Sequence, residues 1–373
     1  MPAGLQDVIA GQSGICYIDG AKGLLSYRGY DIHELAPNST FEETAHLLWF
    51  GSLPNAGELE QTKRAMSGFR AIPSEVSSTI QSCPIDASPM ALLRSAVSLL
   101  ALFEPESEDS SLEANQRKAL RVTAQISTIV AAIGRVRAGK EPISPRSDLS
   151  HAGNFYYMLT GEAPNSVIER ALDIALILHA DHEYNASTFA ARVTSATLSD
   201  MYSAVTSGLG ALKGPLHGGA NANVMKLLLE IGEESKVEET VHRMFREKQK
   251  IPGFGHRVYK TEDPRATHLR TMSKEAGQRS GDNKWFEISA KIEQIVNEEK
   301  KLNANVDFYS ASTYYVIGLP IDLFTPFFAV SRMAGWTAHA LEQYSDNRLI
   351  RPRADYTGLE PNLKWMPPEE RGK

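Results

Sequence analysis

Apolar residues recur every three to four positions along most of this chain, and strongly alternating segments are scarce. Leu92, Leu93, Ala96, Leu99 and Leu100 follow Ser88-Pro89 in this way, as Val167, Ala171, Ile174, Ala175 and Leu178 follow Asn165-Ser166. Such spacing gathers each set on one side of a helix, so the pattern predicts a mainly α-helical fold. Val122 to Val136 is rich in Ala, Ile and Val and reads as strand by composition alone, but its length selects a buried helix. Thr40-Phe41-Glu42-Glu43 has capping-box spacing ahead of Ala45, Leu47, Leu48 and Phe50, and Gly51 ends that run. Residues 274–300 carry a weaker helical signal through Ile288, Ile292, Ile295 and Val296. Residues 1–30 differ: glycines punctuate them, and a hairpin is expected around Asp19-Gly20. Segments 104–113 and 139–150 read as surface loops, 232–250 as an exposed helix, and the tail after Pro361 as an extended arm.

A length of 373 residues accommodates two domains. A net charge of −6 disfavours a non-specific nucleic-acid binder, which would be basic. Apolar runs such as Ile174 to Leu178 are too short to span a bilayer, so no membrane partner is expected. Cys16 and Cys83 are far apart and outside any CxxC pair, which argues against a disulfide framework or a thiolate zinc site. Residues 1–7 show neither a secretory nor a transit pattern, so the expected location is cytoplasmic.

Three segments carry chemistry, in fixed order: Gly214-Pro215-Leu216-His217-Gly218-Gly219, then Ile251-Pro252-Gly253-Phe254-Gly255-His256-Arg257, then Asn305-Val306-Asp307-Phe308-Tyr309-Ser310. Two imidazoles and one carboxylate form a proton-transfer set for neutral pH. His217 sits near the start of a helix expected at Asn221 to Ile231, where the dipole disfavours imidazolium. The alternative is a histidine in a tight turn with no chemistry. His256 lies in a glycine-rich loop whose N–H groups could hold a phosphate or carbonyl, though no Gly-Lys-Ser/Thr follows; a plain turn is the alternative. Asp307, between Val306 and Phe308, either caps a helix or acts as a general base with a tuned pKa.

His179-Ala180-Asp181-His182-Glu183 invites a metal reading, but it is neither HExxH nor HxxEH and no third ligand stands nearby; a substrate contact by one histidine is preferred and no metal is expected. Arg265 follows Asp263-Pro264, Arg332 lies in an apolar segment, and Arg351-Pro352-Arg353 begins the tail. Guanidinium groups bind carboxylates in bidentate fashion, so these sites suit a substrate with two carboxylates. Solvation or salt bridging is the alternative for each.

Taken together these motifs, with Ile18-Asp19-Gly20, Tyr27-Arg28-Gly29-Tyr30 and Asp263-Pro264-Arg265, resemble citrate synthase nearly end to end. The resemblance implies an all-α, multi-helical fold with a short hairpin near the N-terminus. It implies a large domain of residues 1–218 and 319–373 and a small one of 219–318 that closes over the cleft. It implies a homodimer that condenses acetyl-CoA with oxaloacetate and water to citrate and CoA, through an enol or enolate and citryl-CoA. Asp307 matches the base, His217 the donor to the thioester oxygen, and His256 the group that polarises the ketone. His182, Arg265 and Arg332 match oxaloacetate contacts, and Arg351 the arginine reaching in from the partner subunit. No metal or redox cofactor is implied, acetyl-CoA being a substrate. Lys250, Gly253, Gly255, Arg257, Lys300 and Lys301 flank the motifs as CoA-binding candidates.

Ala311 follows Ser310 where many relatives have glycine, a change expected to leave the chemistry intact. The chain starts almost directly at Gly4-Leu5-Gln6-Asp7-Val8, without the extension of NADH-responsive forms, so no NADH inhibition of that kind is expected. Three rivals remain: a 2-methylcitrate synthase using propionyl-CoA, a non-catalytic helical scaffold, and a metal hydrolase built on His179 and His182.

Overall fold

The computed structural model describes residues 3–5 and 8–371; the remainder, including part of the opening segment read above for a targeting signal, lies outside the described residues. Sixteen α-helices and a three-stranded antiparallel sheet make up the regular structure of the described residues. The all-α expectation with a small N-terminal hairpin therefore holds. Strands β1 (Cys16–Asp19) and β2 (Leu24–Tyr27) form the hairpin, and β3 (Tyr30–Asp31) adds to its edge.

Local chemistry explains the helix boundaries. Thr40 caps helix Phe41–Phe50 by accepting the Glu43 N–H, and Gly51 ends it in the left-handed conformation. The reciprocal half of the capping box is absent, because Glu43 takes the Ser39 hydroxyl instead at 2.8 Å. Asn165 caps Ser166–His179, and Pro89 occupies the first turn of Pro89–Leu100, where its missing N–H costs nothing. The weak signal over 274–300 resolves into two helices, Pro264–Ser280 and Lys284–Lys300, separated at Gly281, whose φ is 72°. Glu104 corrects the reading of 104–113 as a surface loop. It is buried, paired with Arg121, and accepts the Tyr202 hydroxyl.

Helix Phe324–Ser345 runs through the core against Leu112–Arg137, Ala186–Ser195 and Met201–Leu212. Leu112–Arg137 is long and apolar enough to cross a bilayer by length and composition. Here 78% of its apolar window is buried within the protein. Helices Ala220–Ile231, Pro264–Ser280 and Lys284–Lys300 all pack on Val306–Val316. The hairpin turn is fastened to the segment after His256. Lys260 N–H donates to Gly20 O at 2.8 Å, and a Cβ on Gly20 would stand 2.1 Å from Val258 O. Only glycine permits that approach.

Candidate active site

The loop carrying His256 and the helix carrying Asp307 are fixed to each other by a short seam. Phe254 bridges Ala304 in antiparallel fashion. Gly255 N–H donates to Asn303 O at 3.0 Å, and Asn305 N–H to Gly253 O at 2.9 Å. Gly253 and Gly255 adopt φ of 83° and 78°, which a side chain would strain. Lys250, Arg257, Lys300 and Lys301 are exposed along this seam.

His256 Nδ1 accepts the backbone N–H groups of Val258 (3.0 Å) and Tyr259 (3.3 Å). Burial, then the charge of Arg265, lowers its pKa to about 4. A neutral imidazole with Nδ1 occupied as acceptor carries its proton on Nε2, ready to donate. His182, just past helix Ser166–His179, stacks edge-on to His256 with ring centroids 5.2 Å apart. Its Nε2 lies 3.1 Å from the Tyr259 hydroxyl, and burial plus the Arg265 charge hold it well below the ordinary histidine pKa.

His217 occupies the turn between Met201–Leu212 and Ala220–Ile231, its N–H donating to Gly214 O at 3.0 Å. Its Nε2 is 2.7 Å from Ser187 Oγ, which also accepts Trp336 Nε1–H at 3.2 Å. Its pKa falls to about 4. The causes are burial and the Arg332 charge, where the sequence had suggested the helix dipole.

Asn305, not Asp307, caps helix Val306–Val316: its side chain accepts the Asp307 N–H at 3.0 Å. The capping alternative for Asp307 is thereby removed. Burial pushes the Asp307 carboxyl up to about 6; Asp263 adds to the rise, while Arg265 and Arg332 oppose it.

The two buried arginines of this site differ. Arg265 is paired with Asp263 through Nε–Oδ1 (2.9 Å) and Nη2–Oδ2 (2.8 Å), and Asp263 also accepts Val306 N–H at 3.2 Å. Arg332 is 1% exposed; its Nε donates to His179 O at 2.7 Å and its guanidinium lies 4.7 Å from the Phe328 ring. Among the described residues no carboxylate forms an ion pair with it. Its charge is felt at His182, His217 and Asp307. Arg351 is exposed at the start of the extended tail.

His179 does not join His182 in a metal site. Its ring faces Phe328 edge-on and its Nδ1 donates to Ala175 O at 2.7 Å. Among the described residues no three His, Cys, Asp or Glu side chains gather as metal ligands.

Tyr259, Ser187, Trp336 and Asp263 were not singled out in the sequence as contributors to the site. Tyr259 and Asp263 left a signal, the first standing three residues after His256 and the second within Asp263-Pro264-Arg265.

Two neutral imidazoles, a carboxyl titrating close to neutrality and a buried guanidinium without a counter-ion form a candidate enzyme site for acid–base work on an anion. Residues 4–353 match the family model described as citrate synthase, C-terminal domain. The chain is 53% identical to citrate synthase 2 of Bacillus subtilis strain 168, over 99% of this chain and 98% of that one. It is 48% identical to the citrate synthase of Haloferax volcanii, with the same coverage of 99% and 98%. A 2-methylcitrate synthase of Shewanella oneidensis is 39% identical over 96% of this chain and 95% of its own. The citrate synthase of Thermoplasma acidophilum, solved as a ternary complex with carboxymethyl coenzyme A and oxaloacetate, superposes with a TM-score of 0.93 at 34% identity, covering 99% of this chain and 98% of that one. The chain belongs to the citrate synthase family and is an enzyme of that family.

Proposed function

We propose that this enzyme condenses acetyl-CoA with oxaloacetate and water to give citrate and CoA. The observation that carries the reading is that two buried guanidiniums join the set: Arg265 acts on His182, His256 and Asp307, and Arg332 on His182, His217 and Asp307, with Asp307 raised to about 6 and His217 and His256 lowered to about 4. At neutral pH the carboxylate is ionised yet unusually basic, and both imidazoles are neutral donors.

A thioester methyl is a very weak acid, so stabilising the emerging oxyanion is the larger need. Asp307 takes the methyl proton while His217 donates to the thioester oxygen. Trp336 Nε1 can only donate, so it leaves the single Ser187 proton for Asn185 Oδ1 or His217 Nε2. When that proton faces His217, the imidazole carries its own on Nδ1, free for the thioester. The enol carbon then attacks the ketone of oxaloacetate, and His256 Nε2–H supports the oxygen that gains charge. Water cleaves the resulting citryl-CoA thioester, releasing citrate and the CoA thiol.

Arg332, Arg265 and His182 hold oxaloacetate, and Arg351 of a second copy completes its carboxylate site in a homodimer. Residues 219–318 form the small domain that closes on residues 1–218 and 319–373, and Lys250, Gly253, Gly255, Arg257, Lys300 and Lys301 meet CoA. The steps use only these side chains and the two substrates, with no metal or redox cofactor. Two unpaired cysteines, Cys16 and Cys83, suit a reducing cytoplasm. The second reading, 2-methylcitrate synthesis from propionyl-CoA, is favoured by the relative from Shewanella oneidensis. One methylene is worth only about 1–3 kcal/mol of discrimination.

A free-thiol release assay with acetyl-CoA and propionyl-CoA, each with and without oxaloacetate, tests the proposal. Release that depends on oxaloacetate and is faster with acetyl-CoA is expected. Faster release with propionyl-CoA would select the second reading, and none with either would refute both.

A further inference from the structure

We propose that Tyr259 is a positioning residue that fixes the tautomer of His182 and thereby the affinity for the 2-oxo dicarboxylate. This rests on the assignment of His182 to oxaloacetate made above. Tyr259 is 4% exposed, and its hydroxyl sits 3.1 Å from His182 Nε2. Burial pushes the phenol above its ordinary pKa, so it keeps its proton throughout the working range. Among the described residues the hydroxyl has no other hydrogen-bond partner than His182. A buried phenol proton without an acceptor is costly, so the hydroxyl donates and His182 Nε2 accepts. Neutral His182 then carries its proton on Nδ1.

The same residue serves the second imidazole through its backbone. Tyr259 N–H donates to His256 Nδ1 at 3.3 Å, and the Tyr259 ring centroid is 4.7 Å from that of His256 and 5.5 Å from that of His182. The two roles separate cleanly. Removing the hydroxyl frees His182 to change tautomer, while the backbone bonds to His256 survive. Oxaloacetate binding is therefore affected and the attack step is not.

The test is Tyr259→Phe, alone and combined with His182→Ala. The single change is expected to raise KM for oxaloacetate about tenfold, with KM for acetyl-CoA at saturating oxaloacetate unchanged within about twofold. In the His182→Ala background the same change should cost less than about twofold, because the hydroxyl has lost its object. An unchanged oxaloacetate KM in Tyr259→Phe, or an equal loss in both backgrounds, would overturn the proposal. The imidazole ¹⁵N spectrum of the wild-type protein, assigned with His182→Gln, gives a readout independent of turnover and of variant folding. A His182 proton on Nδ1 supports the inference and one on Nε2 refutes it. Were the wild-type enzyme to show no condensation while His182 carried its proton on Nδ1, the assigned reaction would fall and the tautomer assignment would stand.

Discussion

Arg70 and Arg332 are both almost wholly buried and neither forms an ion pair among the described residues, but the backbone answers them unequally. Arg70 commits Nη1 to Arg146 O (2.5 Å) and Nη2 to Leu149 O (2.9 Å), holding the loop before helix His151–Thr160. Around it Glu42 accepts His151 N–H at 2.8 Å, and Asp173 accepts both Phe41 N–H (2.9 Å) and Arg170 (2.8 Å). These groups border a cavity of about 790 Å³, where both Arg70 Nη nitrogens are spent on carbonyls and Asp173 is paired with Arg170. Arg332 gives one bond, from Nε to His179 O, and its Nη1 and Nη2 meet no protein acceptor among the described residues. A buried charge without its counter-ion is expensive unless a ligand supplies it. A cavity is thus a poor guide to function here, and a buried guanidinium whose two Nη nitrogens are left unused is a better one.

Five experiments would break or sharpen that contrast. The largest effect is expected from Asp307→Ala, which removes the proposed base and should lower kcat by roughly 10²–10⁴-fold. Oxaloacetate affinity, read by calorimetry, should stay close to wild type. Arg332→Met should come next, raising KM for oxaloacetate by about 10–150-fold through loss of charge-assisted bonds worth roughly 1.5–3 kcal/mol. Arg70→Met should leave that KM unchanged and instead destabilise the fold by about 2–4 kcal/mol, read as a shift in the denaturant midpoint. Equal KM effects from the two arginines would erase the distinction.

Acid should act first at the base. The Asp307 carboxyl, raised to about 6, must be ionised to work, so kcat/KM should fall below pH 6 with the loss of one negative charge. His217 and His256, at about 4, stay neutral throughout that fall. A limb centred near pH 4 would contradict the assignment.

The smallest effect is one of stability. Asp173 is raised to about 7 by burial and the neighbouring Glu42 charge. Between about pH 4 and 7 the folded protein holds this proton and the unfolded chain does not, so its contribution weakens as pH rises. Asp173→Asn cannot ionise, so its stability relative to wild type should improve from pH 5 to pH 8. A pH-independent difference in melting temperature would rule this out.

Much of the fold was legible because helix boundaries are local chemistry. Thr40, Asn165, Ser88-Pro89 and Gly51 act on residues within one turn of themselves. The break at Gly281 was not recognised, because Ile288 to Val296 kept a helical period on its far side while the residues before it were polar. The candidate catalytic residues stood out as ionisable groups set in glycine-rich or apolar surroundings. What supports them did not. Ser187 meets His217 across 30 residues of chain, and Trp336 meets Ser187 across 149. Nothing in the vicinity of a serine or a tryptophan announces such a pairing. Asp263 was likewise read only as part of a motif. Its carboxylate in fact joins Arg265 to the first turn of the helix that bears Asp307.

Helix Phe324–Ser345 lies at the centre of the fold and brings both Arg332 and Trp336 to the site. A ribosome has therefore made about nine-tenths of this chain before Arg332 and Trp336 can take their places. On the roles proposed above, the nascent protein cannot grip a dicarboxylate or orient His217 until that helix has emerged. Fragments cut short of that helix should be inert however well they fold.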